Sequence, residues 1–219
     1  TGYHFVEWSD GNTDNPRSIV VTDDVTLTAS FAINEYTVEV NAEGNGSVSG
    51  SGKYAYGTTV TLTATPQTGY HFVEWSDGNT DNPRSIVVTD DVTLTASFAV
   101  NEYTVHVDAD DHGTVTGSGK YAYGTTVTLT ATPQTGYHFV EWSDGNTDNP
   151  RSIVVTDDVT LTASFAINEY TVEVNAEGNG SVSGSGTYAY GTTVTLTATP
   201  QTGYHFVEWS DGNTDNPRS

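Results

Sequence analysis

Apolar and polar residues alternate with a period of two along most of this chain, the mark of half-buried β-strands. Tyr36, Val38, Val40 and Ala42 alternate with Thr37, Glu39 and Asn41. Gly44-Asn45-Gly46 is a turn signal, and Ser47 to Tyr56 reads as the returning strand, broken at Gly57. Val60, Leu62 and Ala64 then alternate with Thr59, Thr61, Thr63 and Thr65, until Pro66 ends the strand for want of an N–H to donate. Tyr70 to Trp75 is an aromatic strand. Phe72 and Trp75 are three positions apart, so they share a face only across a β-bulge. After the loop 76–83, Ile86 to Val88 is a short strand. Val92, Leu94, Ala96 and Phe98 alternate with Thr93, Thr95 and Ser97 in a last one. No stretch shows a 3.6-residue apolar period.

The same pattern returns along the chain. Thr-Gly-Tyr-His-Phe-Val-Glu-Trp-Ser-Asp-Gly-Asn-Thr-Asp-Asn-Pro-Arg-Ser starts at Thr1, Thr68, Thr135 and Thr202, a spacing of 67 residues. Repetition at a fixed period overrides what length alone suggests about domain number. The predicted fold is all-β: a tandem array of small β-sandwich or β-sheet modules, each with about six strands and joined by short linkers. The complete modules are 35–101 and 102–168. Residues 1–34 form the C-terminal part of a module and 169–219 the N-terminal part of another. Phe98-Ala-Val-Asn-Glu-Tyr103 joins one module to the next without Pro or a Gly/Ser tract, which predicts a semi-rigid rod. A module of this size is close to the lower limit for an independent core.

Several runs carry a family resemblance: Tyr-Thr-Val-Glu-Val, Gly-Ser-Val, Tyr-Ala-Tyr-Gly-Thr-Thr-Val-Thr-Leu-Thr-Ala-Thr-Pro, Gly-Tyr-His-Phe-Val-Glu-Trp and Val-Thr-Leu-Thr-Ala-Ser-Phe. Together they resemble the divergent internalin B-type bacterial repeat, over the whole chain. The resemblance implies tandem extracellular modules of bacterial surface proteins, often stalks or adhesin segments, with no enzymatic activity and no fixed ligand.

Charge narrows the partners. The 28 acidic and 6 basic residues give a net charge of −22, which repels phosphate backbones and anionic membrane surfaces. Nucleic acid is therefore not an expected partner. No apolar run approaches the roughly 20 residues of a membrane helix, so direct membrane insertion is not expected either. The absence of Cys leaves the redox compartment open. A chain without Met that opens partway through a period reads as a fragment or a processed product.

Four groups of residues could carry chemistry. Asp77, Asn79 and Asp81, with Asp144, Asn146 and Asp148 in the next period, open like a calcium loop, where oxygens at alternate positions converge on one cation. The sixth position is Asn, and Val88 stands where the closing Glu would be. The other reading is an Asx-rich turn bonding its own backbone. No cofactor is required, and calcium is the one candidate ion. His106 and Asp108 to His112 could hold a transition metal, but the equivalent positions Glu39, Asn41, Glu43, Gly44 and Asn45 favour a solvated face. Tyr54, Tyr56, Tyr121 and Tyr123 are the candidate exposed contacts for a sugar ring. The Thr rows fit an ice-binding surface or, more simply, a solvent-facing strand. No nucleophile elbow or metalloprotease motif is present.

The repeats bear on function more than any single motif. Residues 35–85 and 169–219 differ only at Lys53 versus Thr187, and the middle copy departs mainly within 106–116. Identical modules add length without new chemistry, which suits a stalk or fibre spacer on a bacterial surface. They also suit a multivalent glycan or host-surface binder acting through avidity. A third reading is head-to-tail assembly: Ile19, Val21, Val25, Leu27 and Phe31 lie on the strands that 169–219 lacks, so one copy could donate them to another. Expected partners are thus neighbouring repeats, other copies of the chain, and glycans.

Overall fold

Gly50 sits at φ +116° and turns the chain out of one sheet and into another. The expected single strand 47–56 is for this reason two strands, and each complete module has seven rather than about six. The structure, a computed structural model, describes all 219 residues, with no helix. Its strands fall into two compact units, Thr1–Glu102 and Tyr103–Ser219.

In the first unit, β1 (Tyr3–Trp8) and β2 (Ala29–Ile33) form a two-stranded ribbon. The complete module follows: β3 (Glu35–Glu43), β4 (Gly46–Ser49), β5 (Gly52–Ala55), β6 (Thr59–Pro66), β7 (Tyr70–Trp75), β8 (Arg84–Val87) and β9 (Val92–Val100). They make a four-stranded sheet in the order β5-β3-β9-β7 and a three-stranded antiparallel sheet in the order β4-β6-β8. The central pair β3 and β9 is parallel, in register from Val38↔Val92 to Glu43↔Ser97. A parallel pair needs a long crossover, and here β4 to β8 supply it. Alternation along β3 and β9 did not reveal this pairing.

One core lies between the two sheets. Val38 and Val40 of β3, Leu62 and Ala64 of β6, Trp75, Val88, Leu94 and Ala96 are buried in it, and no polar side chain is. The expected bulge is present: the β7–β9 register shifts between Phe72 and Glu74. It places Phe72 beside Trp75, ring centroids 5.5 Å apart. The threonines of β6 alternate with its buried Val, Leu and Ala and face outward or lie half-buried.

The second unit repeats this plan with β10 (Glu102–Ala109), β11 (Gly113–Thr116), β12 (Gly119–Ala122), β13 (Thr126–Pro133), β14 (Tyr137–Trp142), β15 (Arg151–Val154) and β16 (Val159–Ile167). The sheets are β12-β10-β16-β14 and β11-β13-β15, again with a parallel central pair. Its divergent hairpin is accommodated locally. Asp110 takes the place of Glu43, and its carboxylate accepts the Phe165 N–H at 2.8 Å. His112 stacks on Tyr137 with centroids 4.3 Å apart. The remaining strands are β17 (Glu169–Val172), β18 (Gly180–Ser183), β19 (Gly186–Ala189) and β20 (Thr197–Pro200), in two two-stranded sheets.

Candidate functional site

The Asp-Asn loop is held by its own hydrogen bonds. The Asn79 N–H donates to Asp77 Oδ1 at 3.2 Å and the Asp81 N–H to Asn79 Oδ1 at 2.9 Å, two successive Asx turns. Arg84 grips both oxygens of Asp77, Nη1 on Oδ1 at 2.8 Å and Nη2 on Oδ2 at 2.9 Å. That hydrogen bond holds the Asp77 carboxyl below its ordinary range, against the opposing effect of partial burial. The side chain of Asn82 pairs with the Ala64 backbone as a strand would: its Oδ1 accepts from the Ala64 N–H at 2.9 Å and its Nδ2 donates to the Ala64 carbonyl at 2.6 Å. These bonds recur around Asp144, Asn146, Asp148 and Asn149. Of the oxygens that would serve a cation, those of Asp77 and the Oδ1 of Asn79 thus already accept bonds from the chain itself. No three His, Asp or Glu side chains gather as a metal-holding group. His106 Nε2 and Asp108 Oδ2 lie 2.8 Å apart as an exposed pair.

The tyrosines are not the exposed contacts expected from the sequence. Tyr54, Tyr56, Tyr121 and Tyr123 are all half-buried. The Tyr54 hydroxyl donates to the Gly50 carbonyl at 3.1 Å and its ring covers Gly52, and Tyr121 does the same over Gly117 and Gly119. Gly52 leaves room for the Tyr54 ring, whereas the space beside Gly50 is taken by Leu62 and the Thr61 carbonyl.

Tyr56 marks what sequence reasoning missed at the module junction, the bonds that hold it. Strand β2 of the leading ribbon passes into β3 through one residue, Asn34. Its N–H donates to the Gly2 carbonyl at 2.8 Å, and its carbonyl accepts the Tyr56 N–H at 2.8 Å. Its Oδ1 lies 2.9 Å from His4 Nδ1. The Tyr56 ring packs on Gly2, so closely that a Cβ there would overlap it. The second unit has the same clasp at Asn168: Gly136 accepts, Tyr190 donates and covers Gly136, and His138 Nδ1 reaches Asn168 Oδ1 at 2.8 Å. At Asn101 the His71 Nδ1 contact to Oδ1, 2.8 Å, and the N–H bond to the Gly69 carbonyl, 2.8 Å, recur. The one signal in the sequence was an Asn at this linker position in every period.

Of the proposed strand donors only Phe31 lies on a strand, β2; Ile19, Val21, Val25 and Leu27, cut off from the sheets of a complete module, lie outside any strand, and the set is largely uncovered. Val21 is 75 % exposed, where its equivalents Val88 and Val155 are fully buried. Ile19, Val25 and Phe31 are exposed and Leu27 is half-buried. At the other end a cleft of mixed polarity lies open, with Val172, Val174, Leu196, Ala198, Phe206 and Trp209 among its lining residues.

Module geometry, junction and sequence period meet in one comparison. The profile of the divergent InlB B-repeat domain matches residues 1–35, 36–102, 103–169 and 170–219, end to end. The chain belongs to this repeat family. Its matched segments are offset by one residue from the boundaries read off the strand pattern. The B-repeat chain is also similar to two proteins of Evansella cellulosilytica. One, named "Putative membrane protein", is 28% identical over 195 residues, covering 84% of this chain and 29% of that protein. The other, "Putative Gly-rich membrane protein", is 27% identical over 203 residues, covering 86% of this chain and 23% of its own length. The chain thus spans under a third of either relative.

Proposed function

We propose that these B-repeats form a spacer segment of a bacterial surface protein, with repeat number setting its reach. The observation that carries this is the junction clasp. A one-residue linker bonded on both faces, with a tyrosine laid over a glycine, leaves little room for a hinge. The same clasp stands in both units, at Asn34 and at Asn168. The relatives' names support a membrane-linked setting, and membership of the repeat family supports a structural role. The test is a series of arrays with increasing repeat number, fused between a cell-wall anchor and an epitope. Epitope distance from the wall should grow linearly with repeat number. A distance that saturates after one or two repeats would refute the spacer.

A second reading, head-to-tail assembly, is favoured by the uncovered donor residues and the open cleft. Residues 19–33 are identical to 153–167, which occupy the corresponding place in the complete module. A second copy could seat them in the cleft of 169–219. An array continuing past Ser219 would fill the same cleft with its own strands. Sedimentation of this chain at rising concentration tests the idea: polymers abolished by Val21→Asp and Phe31→Asp support it, and a strict monomer removes it.

A further inference from the structure

The parallel pairing of the first and last strands of each module has a mechanical meaning. Strand β3 enters the module and β9 leaves it. Because they run parallel, Glu35 lies at one end of the ladder and Val100 at the other. Tension along the chain draws β3 toward its N-terminus and β9 toward its C-terminus. The two strands are then pulled in opposite directions along their shared axis. We propose that each module is a shear clamp, in which load is borne by the whole β3–β9 ladder at once rather than by one hydrogen bond at a time. This rests on the spacer reading for its biological use, not for its physics.

Three further features fit the clamp. The loaded strands are the two central ones of the four-stranded sheet, shielded by β5 and β7. Their inward side chains Val38, Val40, Leu94 and Ala96 are core residues, so sliding the strands also drags apolar surface out of place. The ladder is lengthened by side chains at its ends. The Asp91 carboxylate accepts the Thr37 N–H, 2.6 Å away, one residue before the first register pair and where force enters β3. Asp158 does the same for Thr104 at 2.7 Å. At the far end of the second module Asp110 bonds both the Ala163 carbonyl and the Phe165 N–H. In addition, Ser51 binds the N–H and carbonyl of Val40 on the side facing away from β9, as Ser118 does for Val107.

The test is single-molecule pulling of the full chain. Held by its two ends, it should show two high-force events of similar size, one per complete module. Each should release roughly 200 Å of chain, from 67 residues at about 3.4 Å each less the folded length. The chain has no Cys, so Glu35→Cys with Thr89→Cys gives unique handles at the same end of the ladder. Pulling there peels β3 from β9 one pair at a time, and the first module should yield at a severalfold lower force. Asp91→Ala with Asp158→Ala should lower the end-to-end force while leaving the length released unchanged. Equal forces in the two pulling directions would overturn the clamp. That result would leave the spacer reading standing, whereas epitope distances that ignore repeat number would sink the spacer and leave the force asymmetry intact.

Discussion

The indole N–H of Trp75 donates to the carbonyl oxygen of Asp81 across 2.9 Å, while the residue as a whole is fully buried. One side chain thus ties the core to the loop. Trp142 does the same for Asp148. The bond also persists where the core is open, from Trp8 to Asp14 and from Trp209 to Asp215. The loop is therefore shaped by local bonding, and the surrounding module is built onto it.

Replacing Trp75 separates its two contributions. Trp75→Phe keeps an aromatic ring in the core but leaves the Asp81 carbonyl without its donor, and should cost about 1–2 kcal/mol. Trp75→Ala also opens a large cavity and should cost about 3–5 kcal/mol. Urea denaturation followed by far-UV circular dichroism would read both. The Ala variant should split the transition, because the second complete module keeps its own Trp142.

The Asp77–Arg84 pair predicts an acid-side loss of stability. The folded-state pKa of Asp77 is depressed, chiefly by the Arg84 hydrogen bond. Asp10 and Asp211 are depressed in the same way by Arg17 and Arg218. At Asp144 burial acts first and upward, but the Arg151 bond and two backbone N–H groups outweigh it. A depressed carboxyl contributes stability that is present above its unfolded pKa and lost as pH falls through the folded value. Urea midpoints should hold from pH 7 down to the ordinary carboxylate range, then fall. Asp77→Asn should shift the neutral-pH midpoint only slightly, since the carboxylate is exposed to solvent, and should flatten the acid limb. An acid limb unchanged in Asp77→Asn, Asp144→Asn and the double variant would deny the pairs this role.

Much of this architecture was legible because strand alternation is a local property. Val60, Leu62 and Ala64 share one apolar strand face by spacing alone, and all three are buried. The bulge between Phe72 and Glu74 followed from two large aromatics three positions apart. What stayed hidden was non-local. The β3–β9 pairing joins residues more than fifty positions apart, and nothing in either strand specifies a parallel partner. The partial burial of the tyrosines was hidden for a related reason. Tyr54 and Tyr56 sit in a polar, Gly-rich stretch that looks exposed, and only the folded chain brings their rings over Gly52 and Gly2. Asn34 looked like an ordinary linker residue until both of its backbone groups had found partners on either side.

Chelation tests the loop directly. Asp77 accepts from Arg84 and from the Asn79 N–H, and Asn79 accepts from the Asp81 N–H, so these bonds compete with any cation for the same oxygens. The melting midpoint should be the same in excess chelator as in millimolar calcium. A calcium-dependent rise that disappears in Asp77→Asn with Asp144→Asn would restore the cation reading.

The junction offers a test with a spatially confined readout. Gly136 stands at φ +86°, where an L-residue is strained, and the Tyr190 ring occupies the space that a side chain would need. Gly136→Ala should therefore push Tyr190 away and weaken the two bonds that meet at Asn168. The amides of Asn168 and Tyr190 should lose hydrogen-exchange protection by roughly fivefold or more, the equivalent of about 1 kcal/mol of local opening. The amides of Val105 and Val107, deep in the module core, should keep theirs. Gly145→Ala is the control: φ is also positive there, +81°, but nothing lies within 4 Å of the added carbon. If both variants leave Asn168 and Tyr190 equally protected, the tyrosine-on-glycine contact does not hold the modules together, and the reach of an array would have to come from the strand connection alone.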